Sequence, residues 1–296
     1  MKKYLFTLAA AAALLMTGCN DPDKEPPLTG TEDESIAIPE DMEIAFPDPD
    51  FRSYVLRNFD TDRDGRISPK EAAAVEEIDV AGDVRYKNIS SLEGIQYFIN
   101  LIVLNCHSNR LTSLDVSKNT KLTELMCSYN QLTSLDVSKN TELIDLMCSY
   151  NQLTSLDVSK NTWLGYLACD NNQLTSLDVS KNTELTGLGC RNNQLTSLDV
   201  SKNTWLITLD CSVNQLTSLD VSKNTELRGL ACSNNQLTSL DVSKTWIGNT
   251  SMGNRLSCNM PSLDVLYLKQ GWSIEGINNN RSTEYIHPNT RIEYKD

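Results

Sequence analysis

Apolar and polar positions along the middle of the chain follow one beat. The pattern LxxLxCxxNxL occurs seven times from Leu101 at a spacing of 21 residues, with Cys106, Cys127, Cys148, Cys169, Cys190, Cys211 and Cys232 marking each copy. The other half of each unit, LTSLDVSKNT, carries its own LxxLxVxxN, so a period of ten or eleven residues is nested in the longer one. Alternation sends Leu and Cys to one side of a short extended segment and leaves the residues between them on the other. The ninth-position Asn is placed to satisfy backbone groups where the chain bends away. A single turn has no partner for its apolar side, whereas stacked turns share a core, so the pattern predicts a solenoid.

Over residues 89–244 this beat resembles the leucine-rich repeats, in particular the nested bacterial subclass called IRREKO. The resemblance implies an α/β solenoid dominated by short parallel β-strands. The expected organisation is a signal segment at 1–18, an acidic tether at 19–44, a helical EF-hand-like cap at 45–80, repeats at 81–244 and a β-rich C-terminal cap at 245–296. Within the bridge at 78–100, Ile78–Val80 resembles a first strand. After Lys244 the 21-residue beat fails and Cys258 falls off phase. A terminal cap is expected there, because an open solenoid end exposes core and strand edges.

Ahead of the repeats, Asp48 and Pro49 supply an N-cap and a first-turn proline, and Phe51, Tyr54, Val55 and Phe59 then share a helical face. The loop DTDRDGRISPKE follows. Asp60, Asp62 and Asp64 stand at its positions 1, 3 and 5, Gly65 at 6, Ile67 at 8 and Glu71 at 12. This resembles an EF-hand calcium loop at every key position, with calcium as the implied cofactor. Under that resemblance Arg66 offers its backbone carbonyl, Ser68 holds a water-mediated position and Glu71 closes the shell. Ser68, Pro69 and Glu71 also read as a capping box, which explains Glu71 without a metal. An acidic turn that binds nothing is the alternative. No second loop of this kind is present, so the apolar faces of the two helices, with Val75 and Ile78, are expected to seal the first repeat turn. The N-terminal helical caps of internalin-like proteins are a similar arrangement.

Charge changes the picture at the start of the chain. Asp and Glu outnumber Lys and Arg by 39 to 26, and residues 20–50 hold eleven carboxylates against Lys24 alone. Nucleic acid and anionic membrane surfaces are therefore excluded as electrostatic partners. Lys2 and Lys3 followed by an apolar run read as a signal peptide. The ending MTGC resembles a bacterial lipobox, which implies cleavage before Cys19, acylation of its thiol and membrane association through the lipid. The alternative is a plain secretory signal. The acidic DPDKE after Cys19 resembles the export signal of surface-exposed lipoproteins in Gram-negative outer membranes, and a solvated linker is its plainer reading.

No catalytic constellation is found. The two histidines, His107 and His287, sit in no nucleophile or metal motif, and Gly-rich phosphate loops are absent. The phased cysteines fill the inward slot. Turns ~4.8 Å apart suit a ladder of buried thiols better than disulfides, whose Cβ atoms want ~3.8 Å. Seven aspartates from Asp115 to Asp241 and seven lysines from Lys118 to Lys244 recur on the outward side of LTSLDVSKNT, which reads as a self-compensating charge ladder.

Comparison of the units with one another separates two sides. LTSLDVSKNT hardly changes, whereas the residues around LxxLxC vary: Met126 and Met147 in one column, Glu124, Asp145 and Tyr166 in another, and Gly187, Gly189, Gly229 and Ala231 making later turns shallow. Tyr129, Tyr150, Trp163, Tyr166 and Trp205 are the candidate partner-binding residues. The expected function is that of a monomeric, lipid-anchored surface protein that binds a protein or glycan through this varied face. Drift among duplicated units, and with it a structural stalk or coat role without a specific ligand, is the alternative.

Overall fold

The computed structural model describes residues 42–81, 88–248, 255–272 and 286–296. The signal segment, Cys19 and the acidic tether to residue 41 lie outside them. Among the described residues no helix is long and apolar enough to cross a membrane.

Helix α1 (Pro49–Phe59) begins where Asp48 caps it, its Oδ1 accepting from Asp50 N and Phe51 N at 3.0 Å each. The other oxygen, Oδ2, accepts from Ser90 N at 2.8 Å and Ser90 Oγ at 2.9 Å, which ties the helix start to the first repeat. Helix α2 (Pro69–Ala73) opens with the full capping box between Ser68 and Glu71. Phe51, Val55, Ile67, Ala72, Val75 and Ile78 are buried in one cluster with Leu101 and Leu104 of the first turn, and Tyr54 and Phe59 pack on its border. Asn100 Nδ2 donates to Ala73 O at 2.7 Å across the same junction.

The repeats form a nine-stranded parallel sheet: β1 (Glu77–Asp79), β2 (Val103–Asn105), β3 (Glu124–Met126), β4 (Asp145–Met147), β5 (Tyr166–Ala168), β6 (Gly187–Gly189), β7 (Thr208–Asp210), β8 (Gly229–Ala231) and, after β9 (Ser239–Asp241) of a second sheet, β10 (Arg255–Ser257). Each strand is three residues long with its central residue buried, so only the middle Leu or Ile of each faces the core. Leu125 pairs in register with Leu104 and Leu146, and Cys127 just past the strand is fully buried. Each fully buried Leu contributes ~1.5–3 kcal/mol relative to exposure, and the stacked turns repeat that contribution along the axis.

Two asparagine columns stitch the turns together. Asn151 takes Leu132 N on its Oδ1 at 3.0 Å, and its Nδ2 donates to Cys127 O and Cys148 O at 3.1 Å. Asn161, on the other side of the turn, donates from Nδ2 to Val137 O at 3.0 Å and Asn140 O at 2.8 Å. Both kinds are buried, so each amide replaces water for backbone groups at the bends.

The LTSLDV side is apolar inward as its pattern predicts, but it pairs as a sheet only at the C-terminal end. There, β9 (Ser239–Asp241), β11 (Val265–Lys269) and β12 (Arg291–Lys295) make a parallel three-stranded sheet in the order β12–β11–β9. In earlier turns the aspartate captures the amide two residues ahead, as Asp136 Oδ1 does with Ser138 N at 2.8 Å. Asp241 makes the same bond to Ser243 N at 2.9 Å where β9 does pair, so this local bond turns the chain in both settings.

After Lys244 the 21-residue beat does fail, as the sequence indicates, but the strand register continues at a longer step. Leu256 pairs with Leu230, Leu266 with Leu240 and Ile292 with Leu266, each at an offset of 26 residues. Cys258 therefore stays in the buried column although it is off the 21-residue phase, because five added residues between units lengthen the connection without shifting the register.

Candidate functional site

The outward residues of the strands and of the bends beyond them form a continuous face. Tyr129 and Tyr150 stand three residues past the ends of β3 and β4, stacked with ring centroids 4.2 Å apart and planes 10° apart. Both are about half exposed, at 53% and 46%. Their column is left-handed throughout: Ser108, Tyr129, Tyr150, Asn171, Asn192, Val213 and Asn234 all have φ between 53° and 60°. Asn enters that region at low cost, whereas a large or β-branched residue there is strained. Tyr166 lies within β5 and lays its ring over Gly187, where an added Cβ would sit 2.6 Å from Tyr166 Cδ2. Trp163 and Trp205, 65% and 60% exposed, precede β5 and β7 in one column, two turns or ~10 Å apart by strand spacing.

The five aromatic candidates thus fall in three columns. The structure joins Tyr129 to Tyr150, and among the described residues no ring contact joins Tyr166 or the tryptophans to that pair. Exposed Ile144 and Ile207, beside the tryptophan column, join this face in addition to the residues the sequence indicates. Their signal was an apolar residue directly after the inward Leu143 and Leu206.

Electrostatically the two sides differ. On the strand face, Glu124 titrates above its usual range through burial, then through Asp145 and Glu77, and burial raises Asp145. Burial also raises Asp170, despite bonds from Arg191 N at 2.9 Å and Ser149 Oγ at 3.0 Å. Tyr166 is raised by burial and by Asp170 and Asp145. On the opposite side Asp115, Asp136, Asp157, Asp178, Asp199 and Asp220 are held below the usual range, first by the serine N–H two residues on. No ladder lysine reaches a ladder aspartate within ion-pair distance among the described residues. Serine amides hold these aspartates first, and the neighbouring lysines lower them further from beyond ion-pair distance.

The eight cysteines from Cys106 to Cys258 are buried free thiols, and burial pushes Cys106 up to about 12. They are packing groups without nucleophilic character at neutral pH.

In the acidic loop, Asp60, Asp62 and Glu71 bring carboxylate oxygens within 4.8 Å of one another. Asp64 is outside that set, its Oδ1 accepting from Arg66 N at 2.8 Å. Gly65, at φ 83°, donates to Asp60 Oδ2 at 3.0 Å, while Asp60 Oδ1 is buried without a partner. Glu71 Oε1 accepts from Thr61 N and Oγ1 at 2.7 Å each, and Oε2 from Ser68 N and Oγ at 3.0 and 2.9 Å. Burial opposes ionisation of Glu71, but these bonds prevail and hold it at about 2. The Arg66 side chain lies 3.8 Å from Glu43.

No protein-family model and no curated protein matches the sequence. Among solved structures, internalin C2 of Listeria monocytogenes aligns at 20% identity with a TM-score of 0.52, covering 84% of this chain and 94% of that one. The Leptospira interrogans leucine-rich repeat protein LIC12759 aligns at 20% identity with a TM-score of 0.55, covering 76% and 62%. The functional domain of InlJ from Listeria monocytogenes, described as including a cysteine ladder, is 34% identical with a TM-score of 0.45 over 76% of this chain. This chain spans about half of that domain's length, 55%. With the parallel sheet and the repeat register, these likenesses define the fold as a leucine-rich repeat solenoid.

Proposed function

We propose that this chain is a lipid-anchored surface protein of a Gram-negative bacterium that binds a protein or glycan through its strand face. The observation that carries this reading is the contrast between the two sides of each turn. The LTSLDVSKNT side repeats the same polar residues, whereas the strand face exposes a stacked tyrosine pair held in left-handed backbone and two tryptophans in one column. Exposed aromatics on a rigid sheet supply contact area at small entropic cost. The test is binding of the purified chain to arrays of defined proteins and glycans. Tyr129→Ala with Tyr150→Ala, and Trp163→Ala with Trp205→Ala, should abolish the signal, while Asp157→Ala with Lys160→Ala leaves it. The reverse order would overturn the assignment of faces, and no ligand on either array favours a stalk or coat role.

The acidic loop supports a calcium-stiffened N-terminal cap. A hard cation takes carboxylate oxygens, and Asp60 Oδ1, buried without a partner beside Asp62 and Glu71, is the group whose cost such an ion would remove. Bound calcium would supply charge neutralisation for Asp60, Asp62, Asp64 and Glu71 and hold α1 to α2. The lipid anchor rests on the MTGC boundary: Cys19→Ala should release the protein from the membrane fraction and leave an unprocessed precursor, and unchanged processing would sink it.

A further inference from the structure

The strand face carries carboxylates without ion-pair partners, and Lys121, in the tryptophan column beside β3, donates to Asn100 Oδ1 at 2.7 Å instead. Glu124, Asp145, Asp170 and Asp210 are each only partly exposed, and none is in an ion pair among the described residues. Three arginines, Arg191, Arg228 and Arg255, lie on or beside this face, in its later turns, and none pairs with these carboxylates. The opposite side offsets every Asp of its column with a Lys three residues on. Among the repeats Glu124 and Asp145 lie at the starts of β3 and β4, and Asp170 just past the end of β5.

Burial makes Glu124, Asp145 and Asp170 hold protons more tightly than ordinary carboxylates, with Asp145 adding to Glu124 and Asp210 to Asp170. Between them run the thioethers of Met126 and Met147 and, at the bend, the stacked Tyr129 and Tyr150. Carboxylates flanking an apolar floor and an aromatic edge complement a long cationic side chain. Its methylenes cover the thioethers, and its head meets carboxylates and tyrosine π-faces.

We infer that the strand face from β3 to β5, with its tyrosine pair, docks a protein segment bearing lysine or arginine side chains. The inference rests on the strand-face reading and names the chemistry of the occupant. A neutral glycan would leave the carboxylates uncompensated, and an acidic protein would be repelled.

The probe is a labelled peptide of alternating arginine and glycine, with its glutamate–glycine counterpart and a panel of neutral oligosaccharides, titrated into the full-length chain at low and physiological ionic strength. The arginine peptide should bind and weaken with salt, and the glutamate peptide should not bind. Glu124→Gln with Asp145→Asn should weaken binding about tenfold, whereas Asp157→Asn with Asp178→Asn, an equal change of charge on the opposite side, should change it less than about twofold. Equal losses from both pairs, or no binding of the arginine peptide, overturn the inference. If a neutral oligosaccharide binds and is lost with Tyr129→Ala and Tyr150→Ala but not with Glu124→Gln and Asp145→Asn, the cationic occupant fails and the strand face stands. If binding ignores every strand-face change, both readings fail.

Discussion

Replacing Asn151 with Ala tests the claim that side-chain amides hold the turns in register. Its amide makes three bonds of 3.0–3.1 Å, to Leu132 N, Cys127 O and Cys148 O, so two turns depend on one side chain. At ~1 kcal/mol net per bond, with a further ~1–3 kcal/mol because the buried Leu132 N–H is left without an acceptor, the expected loss is about 4–6 kcal/mol. Asn109, first in the same column, is the internal control. Its Nδ2 donates to Val80 O and Cys106 O, but its Oδ1 accepts nothing, so Asn109→Ala strands no N–H and should cost about 2 kcal/mol. Chemical denaturation of the full-length proteins measures both, read with its slope because a weakened turn can uncouple a repeat array. Hydrogen exchange at the Leu132 amide should quicken in Asn151→Ala. Equal losses at the two sites, or a loss below about 1 kcal/mol for Asn151→Ala, would refute the reasoning.

Gly94→Ala should destabilise by about 2–4 kcal/mol in thermal melts, because Gly94 has φ 101° and its added Cβ would lie 2.5 Å from the buried Phe46 ring and 3.0 Å from Ala45 O. Asp145→Asn should raise the melting temperature at pH 7. Burial lifts the folded-state pKa of Asp145 above its unfolded value, so ionisation costs stability as pH rises through that interval, and the gain should vanish below the carboxylate range. Asp157→Ala should act in the opposite direction: its pKa is lowered by the Ser159 amide, so its contribution is present above the unfolded pKa and is lost as pH falls through the folded one. Calcium at ten times its dissociation constant should add ~1.4 kcal/mol. Asp60→Ala with Glu71→Ala should remove that gain, and calorimetry showing no uptake at ~1 mM would count decisively against the loop as a site.

Where one residue type answers one physical demand, the sequence is transparent. Leu and Cys at alternating positions place themselves inward, Asp48 and Ser68 announce helix starts, and the ninth-position Asn ends in backbone bonds. The C-terminal register was hidden because letters and register disagree. Ser262–Val265 repeats the letters of Ser239–Val242, yet Val265 pairs with Ser239, three residues out of step. What is kept is apolar spacing: Leu263, Leu266 and Leu268 are all buried. The charge ladder is legible in part: spacing places a Lys near each Asp, where it lowers the carboxylate, but does not show that a serine amide two residues away takes the carboxylate first.

Every turn from Ser108 to Asn234 needs one residue at φ near 55°, and Asn171, Asn192 and Asn234 meet that need at little cost. Tyr129, Tyr150 and Val213 occupy the same place at a conformational cost of order 1–2 kcal/mol each. Packing in the core does not recover it, because both tyrosines stand in solvent and their main neighbour is each other. A stack of two exposed rings returns ~0.5–1.5 kcal/mol, about the strain of one of them. Stability alone therefore favours Asn at 129 and 150, and Tyr129→Asn with Tyr150→Asn should leave the chain as stable or more so. If those substitutions also weaken binding of the arginine peptide, the strained pair exists for the partner. If they destabilise the chain by more than about 1 kcal/mol, the tyrosines belong to the fold and the aromatic part of the docking surface must be sought at Tyr166 and the tryptophans.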